Sequence, residues 1–188
     1  LPHGGSLVDG LIAPPGAKEL MGLPMIAVSD EHYMDAEQIA LGTFSPLAGF
    51  MNQAECESVL NDLRLPNDAV WPLPIVLDVS AADAKRIPKT GRVVLADRAG
   101  EPFGFLDAEE QYTFNQETYA RRLYGTNDPS HPGVRAVLEM QPILLGGAVT
   151  VFRRRPAAYK HYELSPRQAR RLFADLGWRR VVGFHTRN

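Results

Sequence analysis

Apolar and polar positions alternate or recur at helical spacing along the chain, and they divide it into short strands and short helices. Apolar runs at residues 25–28, 75–79, 92–96, 103–106 and 147–153 predict strands. The polar residues 97–100, which include a glycine, separate two of these runs and predict a β-hairpin. Together these runs predict a compact, mostly antiparallel sheet or barrel.

Helical spacing predicts helices over residues 35–41, 52–63 and 115–124, between and after the strands. Gly42 and Gly125 follow two of these segments and are expected to end them. Asn52, with Glu55 three residues later, has the pattern of a capping box. The expected inner face of this helix comprises Cys56, Val59, Leu60 and Leu63. Residues 1–16 are rich in glycine and proline and predict an extended loop.

The last part of the chain has a different pattern. Ser165, Pro166 and Gln168 combine an N-cap, a first-turn proline and a capping-box partner, and Gly177 suits the end of the helix that they begin. Residues 179–184 then predict a buried strand. Because a helix followed by an apolar strand is typical of parallel α/β sheets, we expect a first domain over residues 1–163 and a second beginning at 164–188.

Charge and composition indicate a globular protein without a broad positive field. The chain has 188 residues, of which 45% are hydrophobic and 22% charged, and its formal net charge is −2. General binding of nucleic acid is therefore not expected. Positive charge is concentrated late, at residues 153–155 and at Arg167, Arg170, Arg171, Arg179 and Arg180. These arginines suit either an anionic ligand or a solvated surface.

Cysteine content and hydropathy bear on the cellular setting. Cys56 is the single cysteine, so no disulfide can form within the chain, and a reducing cytoplasm is expected. No apolar run approaches the roughly 20 residues of a membrane-spanning helix, so no membrane partner is expected. The chain starts at Leu1 and stops at Asn188 directly after an apolar run, and both ends are expected to be cuts.

Four polar residues, His185, Thr186, Arg187 and Asn188, follow the last predicted strand. Side chains at the carboxyl ends of strands are where open α/β sheets bind ligands, although such a run is also an ordinary loop. The other histidines lack ligand spacing, so no metal site is predicted. The neighbouring Asp128, Ser130 and His131 are not expected to form a catalytic triad, because a triad is assembled from separate elements.

Six blocks of sequence resemble those of ATP sulfurylases (sulfate adenylyltransferases), and they occur in the same order. The blocks occupy residues 2–5, 42–51, 71–77, 125–134, 145–147, and finally 177–178 with 181–188. The resemblance implies an α+β chain: a PUA-like β-barrel with flanking helices, then the first helix and strand of a Rossmann-like nucleotidyltransferase domain. It also implies the N-terminal part of an enzyme that makes adenosine 5'-phosphosulfate and pyrophosphate from sulfate and ATP, the latter with Mg²⁺.

The resemblance also implies roles for the last four residues. Thr186, Arg187 and Asn188 would be catalytic: Arg187 would hold sulfate, Asn188 would contact the nucleotide near its phosphates, and Thr186 would hold phosphate or developing charge. His185 would contact sulfate where the family usually has glutamine. Because the family's His-x-x-His motif would follow Asn188, the chain alone is expected to bind no cofactor and to be inactive.

Two other functions stay open at this point. PUA-like folds elsewhere recognise RNA, and the chain could instead serve as a scaffold for oligomerisation, a role that is compatible with the enzyme. The resemblance implies a homo-oligomeric parent protein.

Overall fold

The computed structural model describes residues 1–184, so the last four residues are outside the description. The chain divides into two compact units. The first unit comprises Leu1–Arg155, and the second unit is Pro156–Asn188, described as far as Phe184. The domain boundary between residues 163 and 164 stays a prediction.

Six strands form the sheet of the first unit. They are β1 (Met25–Ala27), β2 (Gly49–Phe50), β3 (Leu77–Val79), β4 (Gly91–Ala96), β5 (Pro102–Thr113) and β6 (Ile143–Val151). Their order is β1-β4-β5-β6-β2, and β3 pairs with β6 beside β2. Every pairing is antiparallel except that of β1 with β4. The prediction of a mostly antiparallel sheet is therefore confirmed.

Seven helices accompany the strands in the described residues. They are α1 (Ala17–Leu20), α2 (Asp30–Leu41), α3 (Gln53–Asp62), α4 (Ala81–Arg86), α5 (Gln116–Tyr124), α6 (Pro132–Leu138) and α7 (Pro166–Asp175). The predicted ends agree for three of them, since Gly42 and Gly125 adopt left-handed conformations after α2 and α5, and Asn52 forms a complete capping box with Glu55 before α3. Side-chain acceptors thus satisfy backbone donors that a helix start leaves free.

The hairpin of β4 and β5 forms where the sequence predicts it. The Asp97 carboxylate accepts hydrogen bonds from the backbone N–H groups of Ala99 and Glu101, which fixes the turn. Across the hairpin, Arg92 pairs with Asp107 through two hydrogen bonds of 2.7 and 2.8 Å. Strand β5 lies between β4 and β6, so it is central to the sheet.

The hydrophobic core lies between the sheet and its helices. Tyr33 of α2 stacks on Phe103 of β5 with ring centroids 3.7 Å apart. The largest fully buried side chains include Phe50, Met51, Leu77, Leu95, Leu106, Leu144 and Leu145. Helix α2 therefore covers the sheet, and β2, β3 and β6 contribute their inner faces.

The N-terminal segment is held against the end of β6. The N–H of Val151 donates to the carbonyl of Gly10, and the N–H of Ile12 donates to the carbonyl of Val151. Gly10 also donates to the carbonyl of Ala40 at the end of α2. The segment is predominantly non-regular, as predicted, but it includes a 3₁₀ turn at His3–Gly5 and the one-turn helix α1.

Several elements of the first unit differ from the predictions. Strand β5 continues to Thr113, because its polar second half still pairs with β6. Helices α4 and α6 are additional, and turn-forming residues around Pro132 concealed the second of them. Leu63 does not join the inner face of α3, since it adopts a left-handed conformation beyond the helix and is 56% exposed.

The strand predicted over residues 179–184 is absent from the described part of the second unit. Val182 and Phe184 are 90% and 89% exposed instead. A strand needs a neighbour for its backbone hydrogen bonds, and residues 156–184 offer none. Helix α7, by contrast, begins and ends as predicted.

Candidate functional site

The four predicted site residues, His185, Thr186, Arg187 and Asn188, lie outside the described residues. The structure therefore neither brings them together nor separates them, and their roles stay predictions. What the structure does describe is the helix and the extended segment that lead to them.

Helix α7 is firmly defined at both ends. The Ser165 hydroxyl accepts from the N–H of Gln168, and the Gln168 side chain accepts from the N–H of Ser165. Gly177 follows the helix with a left-handed φ of 66°. Beyond it, Trp178 stacks on Phe173 with centroids 5.8 Å apart. This contact fixes the direction in which the chain leaves the helix.

The second unit carries a concentration of exposed arginines. Among residues 156–184, Arg170, Arg179 and Arg180 have no ion-pair partner, while Arg171 lies 3.8 Å from Asp175. An exposed pair at that distance contributes little energy. Positive charge thus remains available to an anion on the segment that precedes the predicted site.

The arginine run of the first unit has a different role. Arg154 and Arg155 both donate to the buried carboxylate of Glu37, with N···O distances of 2.5 and 3.4 Å. Arg153 donates to Asp97 at 2.8 Å, and its carbonyl accepts from the Tyr33 hydroxyl. This run therefore ties the end of β6 to α2 and to the hairpin turn rather than binding an anion.

The described histidines make structural contacts. His3 lies 2.8 Å from the carbonyl of Val70, and His131 Nδ1 accepts from the N–H groups of Gly133 and Val134 as the cap of α6. Across residues 1–184 no group of three or more His, Cys, Asp and Glu side chains is placed to hold a metal ion.

One pair of titratable residues was missed by sequence reasoning. His32 Nε2 of α2 lies 3.0 Å from Asp78 Oδ1 of β3, and Asp78 Oδ2 accepts from the N–H of Gln141. Burial acts to raise the pKa of Asp78, but hydrogen bonds from His32 and Gln141 outweigh it and lower the pKa. The two residues are far apart in sequence, so no spacing signal could have joined them.

The single cysteine is enclosed by apolar and aromatic side chains. Cys56 of α3 is 3% exposed and lies beside Tyr112, whose hydroxyl donates to the carbonyl of Met51. Burial raises the pKa of the Cys56 thiol to about 11. The thiol is therefore a core group, as the sequence indicated, and is a poor nucleophile at neutral pH.

Glycines in the six sequence blocks that carry the resemblance allow close packing of the backbone. A Cβ at Gly49 of β2 would lie 1.8 Å from the carbonyl oxygen of Gly147 on β6. A Cβ at Gly146 would lie 2.6 Å from the Cα of Asn52, and one at Gly42 would lie 2.4 Å from the carbonyl oxygen of Val8. These blocks therefore specify how the sheet and its connections pack.

A family model for the PUA-like domain matches residues 1–154. The chain belongs to the PUA-like domain family. The matched range nearly coincides with the first compact unit, so this PUA-like domain is the six-stranded sheet with its covering helices. The fold class predicted from the sequence is confirmed to that extent.

Curated relatives extend the likeness through the second unit. A sulfate adenylyltransferase of Symbiobacterium thermophilum is 40% identical over 191 residues, covering 100% of this chain and 49% of the relative. One of Cenarchaeum symbiosum is 40% identical over 188 residues, covering 100% of this chain and 48% of the relative. The predicted resemblance to sulfate adenylyltransferases is confirmed. The PUA-like chain spans about half the length of these relatives.

A solved structure agrees with this fold. The hexameric APS kinase from Thiobacillus denitrificans superposes with a TM-score of 0.69 at 25% identity, covering 95% of this chain and 32% of that one.

Among residues 1–184, every helix is too short or too polar to traverse a bilayer.

Proposed function

We propose that this chain is the N-terminal portion of a sulfate adenylyltransferase, which joins sulfate to the adenylyl group of ATP. The observation that carries the proposal is the identity of 40% to curated sulfate adenylyltransferases across the whole of this chain. Similarity that runs through the second unit favours a shared catalytic role over a PUA-like fold alone, since folds host many functions.

The reaction is a nucleotidyl transfer with MgATP as substrate. A sulfate oxygen attacks the α-phosphorus of ATP, an S–O–P linkage forms, and the bond from that phosphorus to the bridging oxygen of pyrophosphate breaks. Both reactants are anions, and sulfate is a weak nucleophile. Catalysis must therefore come from charge neutralisation and in-line positioning.

Residues at the end of the chain suit these tasks. Arg187 would hold sulfate through paired guanidinium N–H donors that remain charged at all working pH values. Asn188 would contact the nucleotide near its phosphates, Thr186 would hold phosphate or the developing charge, and His185 would donate to sulfate. Support comes from the capped helix α7 and from Arg179 and Arg180 just before these residues, which have no ion-pair partner within residues 1–184.

The organisation follows from the same proposal. Residues 1–163 would form the PUA-like domain, and residues 164–188 would begin a Rossmann-like catalytic domain in which 179–184 become a strand once neighbouring strands are present. The exposure of Val182 and Phe184 supports a further apolar surface that covers them. The parent enzyme is proposed to be a cytoplasmic homo-oligomer.

The test is ATP- and sulfate-dependent release of pyrophosphate by the full-length protein. Arg187→Ala is expected to lower kcat/KM by about 100-fold or more, as loss of a charge-stabilising donor does elsewhere. Arg98→Ala, an exposed arginine of the first unit, is the control and should leave the rate unchanged. The 188-residue chain alone should release no pyrophosphate. A full-length protein that ignores sulfate, or that instead binds RNA with a steep salt dependence, refutes the proposal.

A further inference from the structure

The sheet of the first unit is open between two of its outer strands. Strand β1 pairs only with β4, and β3 pairs only with β6, so each has one side without a neighbour among the described strands. A groove of about 760 Å³ is lined by residues 26–29 on one side and by residues 78–80 on the other. Helix α6 closes one end of it.

The free side of β1 faces this groove. The carbonyl of Pro24, just before β1, accepts from the N–H of Val94, and the N–H of Val28, just after β1, donates to the carbonyl of Ala96. Even-numbered residues therefore direct their backbone groups to β4. The intervening Ala27 directs its N–H and carbonyl to the opposite side, and Ala27 lines the groove. Within residues 1–184 no other strand pairs with that side, which leaves it available to an added strand.

The floor of the groove is apolar. Five buried side chains, each 9% exposed or less, form it: Ile26, Val28, Val76, Val79 and Val137. A strand lying here would place every second side chain on this floor and the others toward the rim, because successive side chains of a strand point to opposite faces.

The rim of the groove is negatively charged. Its carboxylates belong to Glu31, Asp78, Asp83 and Glu139, and its only basic side chain is His32. His32 is already paired with Asp78. Glu31 and Glu139 have no ion-pair partner in the described part of the chain, so their charge can meet that of a ligand.

We propose that this groove binds an extended peptide segment of a partner protein in which apolar residues alternate with lysine or arginine. The segment would add to the free side of β1 through backbone hydrogen bonds and place its apolar side chains on the apolar floor. Its cationic side chains would lie beside Glu31 and Glu139. Strand addition supplies affinity, while the floor and the rim select the side chains. The inference is independent of the catalytic proposal.

The probe is a fluorescein-labelled peptide of three Lys-Val repeats with blocked ends. It is titrated with the full-length protein, and binding is followed by fluorescence anisotropy. Saturable binding that weakens with added salt is expected. The matched peptide of Glu-Val repeats should not bind. A Lys-Val peptide with one central proline, which lacks a backbone donor, should bind about tenfold more weakly.

Protein variants separate groove binding from general attraction. Glu31→Gln/Glu139→Gln should weaken binding about tenfold, whereas Glu57→Gln/Glu109→Gln makes the same change in net charge elsewhere and should have little effect. Ala27→Pro removes the free N–H without touching the pairing to β4 and should also weaken binding about tenfold. The thermal unfolding of Ala27→Pro is compared with that of the unsubstituted protein. If Ala27→Pro misfolds, the comparison of the two double variants still tests the proposal. No binding, or equal loss in both double variants, overturns the proposal.

Discussion

The buried carboxylate of Glu37 offers the sharpest test of what holds the first unit together. It lies on α2 at 4% exposure, and it receives hydrogen bonds from Arg154 and Arg155 beyond β6. Glu37→Gln keeps the size of the side chain but removes its charge. Two guanidinium groups would then face a neutral amide, and one of the amide's two polar ends would be a donor that repels them.

The expected loss follows from burial on each side of the contact. Removing one partner of a fully buried ion pair costs about 3–5 kcal/mol, because the other charge is left without compensation. Here the side chains of Arg154 and Arg155 are 25% and 38% exposed, so water can solvate part of the abandoned charge. We therefore expect Glu37→Gln to lower the free energy of unfolding by about 2 kcal/mol.

Urea unfolding followed by tryptophan fluorescence and circular dichroism measures this loss. With a urea dependence of about 2 kcal/mol per molar, the midpoint should fall by about 1 M. Glu31→Gln on the same helix is the control and should change stability by less than about 0.5 kcal/mol. An unchanged midpoint for Glu37→Gln would mean that the ion pairs only compensate for their own desolvation, and the reasoning would be refuted.

Three further predictions follow from the packing. Gly49→Ala should unfold the first unit or destabilise it by about 3 kcal/mol or more, because the new Cβ would lie 1.8 Å from a backbone oxygen. Gly183→Ala, whose new Cβ would meet open space, is the control and should leave stability unchanged. Thermal unfolding compares the two variants. Cys56 should resist an aromatic disulfide reagent at neutral pH until urea unfolds the chain, and rapid labelling of the native protein would contradict its burial. Asp78, whose pKa is lowered in the fold, stabilises the protein above the unfolded pKa of about 4, and this contribution disappears as the pH falls through the folded pKa. Asp78→Asn should therefore lose stability at neutral pH and show a flatter acid limb in melts between about pH 2 and pH 7.

Local sequence patterns are sufficient to predict a structural feature when the residue that determines it contacts only its near neighbours in the sequence. Asn52, Ser165 and Gly125 each determine a helix end through contacts within a few residues, and all three do so in the structure. The hairpin turn at Asp97 is equally local. Such features depend on backbone donors that only a nearby side chain can satisfy, so their patterns are readable without tertiary knowledge.

Features that depend on distant partners were not readable in the same way. The second half of β5 has a polar sequence through Glu109 and Glu110, and it is a strand only because β6 lies beside it. The contact of His32 with Asp78 joins two elements that no spacing relates. Residues 179–184 show the opposite case. They have strand propensity, but they do not form a strand because no neighbouring strand pairs with them among the described residues.

The candidate catalytic residues were proposed from resemblance rather than from pattern. Arg187 and its neighbours form an unremarkable polar run by composition, and only the order of the six blocks indicates a role. For the arginine run at 153–155, the sequence left two interpretations open. The structure decides between them, because Glu37 and Asp97 occupy those guanidinium groups.

The hydrogen bonds between Gly10 and Val151 also govern when this domain can mature on the ribosome. Gly10 and Ile12 are translated well before Val151, so they wait for almost the entire unit before this backbone partner exists. Until then the backbone groups of Gly10 and Ile12 that bond to Val151 have no partner, and nascent chains could associate through this segment. Synonymous codons that slow translation once Val151 has left the ribosomal exit tunnel would therefore be expected to improve the yield of folded protein.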